Sequence, residues 1–86
     1  MSDIYDDLAE VNPEALTADG LEKAYIGFTV NQHHPAVAVY DYDKCVQVLV
    51  DRDGMTHEGA DEFLQFNTIS AYVGENGPLY IVRRQT

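Results

Sequence analysis

The sequence predicts an α+β fold: a small antiparallel sheet, ordered ββααββ along the chain, packed by two short helices and preceded by an acidic N-terminal arm. Three observations carry this reading. β-Branched and aromatic residues flank a His-His-Pro turn, two cap-bounded amphipathic stretches follow between residues 41 and 67, and two further apolar stretches are split by Gly-Glu-Asn-Gly-Pro. With 86 residues the chain makes one domain. Its 45% hydrophobic content is enough for a globular core despite the charge imbalance.

The arm is expected over residues 1–20 and the α+β domain over residues 21–86. Residues 1–22 carry Asp3, Asp6, Asp7, Glu10, Glu14, Asp19 and Glu22 without a single Lys or Arg. The spacing of Ile4, Leu8 and Val11 allows a short amphipathic helix, and Asn12 before Pro13 could cap a second helical start. Short length and high charge make both marginal, so the arm is expected to be solvated.

Residues 24–40 contain no Asp, Glu, Lys or Arg and predict a β-hairpin. Alternation puts Ile26, Phe28 and Val30 on one face of the first strand, and Val37 and Val39 together on the second. Gly27 marks a bulge or a close backbone approach.

Asp41 can cap a helix with an apolar face of Cys45, Val46, Leu49 and Val50, closed by Arg52 in its last turn and Gly54 as a left-handed stop. Met55, Thr56 and Ala60 stand at the N′, N-cap and N4 positions of a second helix. Its expected core residues are Phe63 and Leu64. After Thr68, Ile-Ser-Ala-Tyr-Val predicts a strand and Leu-Tyr-Ile-Val-Arg its antiparallel return, with Pro78 at the start of the latter.

Fifteen acids against five bases give a net charge of −10. Direct nucleic-acid binding depends on Lys and Arg displacing counterions, so it is not expected, and neither is binding to an anionic membrane. No apolar run approaches the roughly 18 residues of a membrane span. The opening residues lack the basic and apolar regions of a secretory signal, and the lone Cys45 fits a reducing compartment. A cytoplasmic protein is expected.

No catalytic, cofactor or metal constellation stands out. Asp51–Glu62 places acids at calcium-loop positions 1, 3 and 12, but Gly54 is at position 4 rather than 6, and a helix stop and restart explains the same residues. His33 and His34 are neighbours that face opposite ways on an extended chain, and with His57 they make a poor ligand set. Cys45 reads as a buried structural thiol. Tyr25, Tyr40, Tyr42, Tyr72 and Tyr80 read as core and rim residues, able to form a binding patch if several share an open face. A DNA-reading helix-turn-helix is excluded by chemistry, since the second helix offers Glu58, Asp61 and Glu62 and no Lys or Arg.

The segment YDYDKCVQVLVDRDGMTHEGADEFLQFNTISAYVGENGP, with Asp-Gly-Met, Phe-Asn and Ala-Tyr-Val-Gly-Glu at these spacings, resembles a family of small tailed-phage and prophage proteins. LEKAYIGF, from Leu21, extends the resemblance over residues 21–82. It implies a phage origin and the cytoplasm of an infected host, and it carries over no activity, cofactor or catalytic residue. Gln65 and Gly77 depart from the acid and the threonine expected there.

The expected function is therefore non-catalytic binding of a host or phage protein, modulating a host process or defence system, with no cofactor. Tyr25, Phe28 and Tyr40 of the uncharged hairpin and Asp6, Asp7 and Glu10 of the arm are the candidate contact residues. Two alternatives stand beside it: a DNA mimic that inhibits a basic nucleic-acid-binding protein, and a small-ligand or enzymatic site formed across a homodimer.

Overall fold

In the computed structural model, residues 3–31, 33–69 and 73–84 are described. A helix, α1 (Asp6–Val11), and a 3-10 turn (Glu22–Ala24) precede the strands β1 (Tyr25–Phe28) and β2 (Ala38–Asp41). The helices α2 (Tyr42–Asp53) and α3 (His57–Leu64) follow, then a π-helical turn (Gln65–Ile69) and β3 (Leu79–Ile81). The α+β class, the hairpin and the two main helices are as the sequence predicts.

Local signals set the helix ends. The Asp41 side chain accepts from the Lys44 N–H at 3.2 Å, and the Thr56 hydroxyl accepts from the Gly59 N–H at 3.0 Å. Gly54 stops α2 at φ 70°, a left-handed conformation that a Cβ would strain. Cys45 and Leu49 of α2 meet Ala60 and Leu64 of α3 in the core, with Val46, Val50 and Met55 packed against them. Phe63 departs from expectation. Ala60 and Leu64, four residues apart, take the inward face of α3, and Phe63 is left on its flank, 41% exposed.

The sheet has the order β1-β2-β3 and is mixed. β1 and β2 pair antiparallel with a bulge between Tyr25 and Gly27, the irregularity that Gly27 predicted, and Gly27 has φ 151°. The expected alternation does not hold: Ile26, at the bulge, is 39% exposed, and Val30, beyond the end of β1, is 94% exposed. β3 pairs parallel with β2, matching Val39 with Leu79 and Tyr40 with Tyr80. This corrects the all-antiparallel expectation. Of the strand expected at Ile-Ser-Ala-Tyr-Val, Ile69 lies in the π-turn, residues 70–72 fall outside the described residues, and Val73 is not in a strand. Continuation of the helix, with the Asn67 side-chain amide donating to the Phe63 carbonyl at 3.2 Å, carries the chain past the point where that strand would begin.

The pairing register brings Tyr25, Tyr40 and Tyr80 side by side across all three strands. Tyr40 is stacked on Tyr80 at 5.6 Å between ring centroids, Tyr25 meets Tyr40 edge-on at 5.7 Å, and Tyr5 meets Tyr25 edge-on at 4.6 Å. Tyr5 comes from the acidic segment, which is more than a solvated arm. Leu8 of α1 is buried in the core, whereas Ile4 and Val11 remain exposed. The second helical start expected at Pro13 does not form. Asn12 is buried instead, its amide donating to the Ala36 carbonyl at 2.8 Å and to Asn76 Oδ1 at 2.9 Å while its own oxygen accepts from the Glu14 N–H at 3.1 Å. Every polar atom of that side chain has a partner, which is the condition for burying an amide.

Candidate functional site

The candidate contact residues divide by accessibility. Asp6, Asp7 and Glu10 are exposed on α1, and Tyr25 and Phe28 are half-buried on β1, an outer strand of the sheet. Tyr40 is fully buried and cannot touch a partner directly. Its reason for being there is internal: the hydroxyl accepts from the Ala18 N–H at 2.8 Å and shares a 2.8 Å hydrogen bond with the Tyr5 hydroxyl. Burial pushes the Tyr40 and Tyr5 phenols above their ordinary range, so both stay protonated at neutral pH. The Tyr5 contribution had no sequence signal, because Tyr5 and Tyr40 lie 35 residues apart.

The other outer strand, β3, borders a cleft of about 750 Å³. Four separated parts of the chain build it. Leu16–Asp19 and Leu21 line it from the N-terminal segment, Tyr42 from α2, Gln65, Asn67 and Thr68 from the π-turn, and Val73, Pro78, Leu79, Tyr80 and Val82 from around β3. The Leu16 N–H donates to the Asn76 carbonyl at 3.0 Å, which ties the N-terminal segment to the chain just before β3. Leu16, Val73, Leu79 and Val82 are apolar lining residues that remain exposed. Among the described residues lining the cleft Asp19 is the only charged one, in a chain of net charge −10.

The polar end of the cleft is occupied with holding α2 to α3. The Tyr42 hydroxyl donates to the Asp61 carboxylate and accepts from the Gln65 amide at 3.2 Å. Burial and the adjoining carboxylate raise the Tyr42 phenol, so it is a proton donor to Asp61 and not a base. Cys45 is no nucleophile either: burial pushes its thiol up to about 11. His33, His34 and His57 are exposed and lie outside the cleft lining. Among the described residues no group of three His, Cys, Asp or Glu side chains is gathered to hold a metal ion.

The chain matches no protein-family model, no curated protein and no solved structure. Its chemistry must therefore be read from its own surface. Two further features of that surface matter. Lys44, Arg83 and Arg84 gather beside Asp41 and Asp43, and Arg83 reaches Asp41 at 3.6 Å, so most of this positive charge is offset locally. On α3, Phe63 and the π-turn residue Phe66 stand out from the core, Phe66 73% exposed. The composition of the segment contains that signal, since Phe63 and Phe66 are three residues apart, but helical periodicity alone assigned Phe63 to the core. Among the described residues no helix is long and apolar enough to cross a membrane.

Proposed function

We propose that this protein works without catalysis, by binding an extended apolar segment of another protein in the cleft beside β3. The observation that supports this most directly is the contrast between the cleft and the rest of the surface. Exposed Leu16, Val73, Leu79 and Val82 surround an opening with one charged residue, which is the charge-depleted, apolar composition of an interface centre. An outer strand forms one wall, and pairing with a strand edge is a common way to hold an extended peptide. The resemblance to small tailed-phage proteins favours a host protein as the partner, acted on in the host cytoplasm.

Affinity capture from host lysate tests the reading when wild-type bait is run beside a Leu79→Asp/Val82→Asp bait. A protein recovered by the wild type and lost with the variant is the expected result. Equal recovery by both baits, or no recovery above a control bait, would sink the proposal.

A further inference from the structure

We infer that the outer face of α3 is a separate docking surface whose occupant is a basic amphipathic helix of a partner protein. The inference does not rest on the β3 cleft, because the two openings share only Asn67 among the described lining residues and the partner geometry differs. On α3 and its extension, Gly59, Phe63 and Phe66 recur at helical spacing and form one stripe. With Met55 at one end and Glu62 alongside, they line a groove of about 480 Å³. Ala60 and Leu64 already occupy the inward face, so the two phenyl rings are not required by the core. Phe66 stands on the π-turn, a backbone form that recurs at functional sites.

Charge selects the partner. No Lys or Arg occurs from Asp53 to Val82, and Glu58 and Glu62, four residues apart and both exposed, follow one flank of the stripe. The nearest base in sequence, Arg52, is engaged by the Asp53 carboxylate at 2.9 Å and by the Gly20 carbonyl at 3.0 Å. An apolar floor with an acidic flank complements a helix that carries apolar residues three and four apart and Lys or Arg on one side. A helix fits better than a strand here because the groove runs along a helix surface and offers no strand edge. Gly59 places no side chain between Met55 and Phe63, and the flexible Met55 thioether can adjust to an inserted residue.

The protein has no Trp, so a single Trp in a probe peptide reports binding without interference. The probe is a Leu/Lys amphipathic peptide about four turns long with Trp on its apolar face, and the control is a scramble of the same composition. The expected result is a blue-shifted, saturable one-to-one complex, with the scramble and the Phe66→Ser protein each binding about tenfold more weakly. A Glu58→Gln/Glu62→Gln protein should bind about threefold more weakly and show a shallower salt dependence. Amide shifts in the wild-type protein should concentrate at Gly59, Glu62, Phe63 and Phe66, a readout that needs no variant. The Leu79→Asp/Val82→Asp protein should bind the probe normally, which separates this result from the fate of the β3 cleft. Equal binding of probe and scramble, or amide shifts centred on Asp6, Asp7 and Glu10, would overturn the inference as general attraction to an acidic protein. A dimer by light scattering that Phe66→Ser dissolves would also overturn it, by giving the face to a second copy.

Discussion

The helical hairpin of α2 and α3 and the N-terminal segment before β1 are both packed against the same core, yet they are held by different kinds of contact. In the hairpin each boundary is set within a few residues: Asp41 caps Lys44, Thr56 caps Gly59, and Gly54 turns the chain. In the N-terminal segment the fixing contacts are distant, from Asn12 to Ala36 and Asn76, from Ala18 to Tyr40, and from Leu8 into the core. The difference teaches that an acidic, helix-poor segment can be integral to a small domain when a few buried groups are satisfied across the fold. Its charge describes its outer side only.

Breaking the distant contacts should cost most. Leu8→Ala is expected to lose about 2 to 5 kcal/mol in urea unfolding, the range for a buried leucine that leaves a cavity. A loss below about 1 kcal/mol would show that the segment is not part of the cooperative unit. The next effect is alkaline. Cys45 is raised to about 11 and Tyr80 to about 12 by burial, so their protonated forms belong to the native state. With folded values above the unfolded ones, the stabilisation is fully present below pH about 9 and is lost as pH rises through about 11 to 12. Denaturation midpoints measured from pH 8 to 12 should fall over that window, and a flat profile would contradict the burial of both groups.

Tyr40→Phe keeps the ring and strands the Ala18 N–H and the Tyr5 hydroxyl, for an expected loss of about 1 to 3 kcal/mol. If Tyr5→Phe/Tyr40→Phe costs as much as the sum of its single changes, the two hydroxyls act independently, and the clasp between segment and sheet is weaker than drawn. The smallest effect belongs to the local contacts. Thr56→Ala should cost about 1 kcal/mol by loss of one cap, with no change in the unfolding m-value.

The same contrast explains what was legible in the sequence. Cap, stop and restart residues identify α2 and α3 because the interactions that form them join residues three or four apart. The bulge at Gly27 was legible for a similar reason. The direction of β3 was not: Leu-Tyr-Ile fits a parallel or an antiparallel neighbour equally, and the choice depends on Tyr80 finding Tyr40 across residues 42–78. The outward placement of Phe63 was hidden because one helical stripe can include either Phe63 or Ala60 beside Leu64, and the partner helix decides between them. Of the proposed contact residues, Tyr40 carried the aromatic signal of a surface patch while serving as the buried hub of the sheet. The β3 cleft was invisible for another reason, since its lining comes from four separated parts of the chain.

The parallel pairing of β2 with β3 sets an order of events in time. Two parallel neighbours cannot be joined by a tight turn, so all of residues 42–78 form the crossover between them. Closing a flexible loop of that length carries a length-dependent entropy cost of roughly 3 kcal/mol, before the short β3 returns any contact energy. Formation of the α2–α3 hairpin shortens that search by folding the crossover back on itself. β3 should therefore be the last strand to dock during folding and the first to leave during unfolding, and its departure opens the β2 edge to a passing chain.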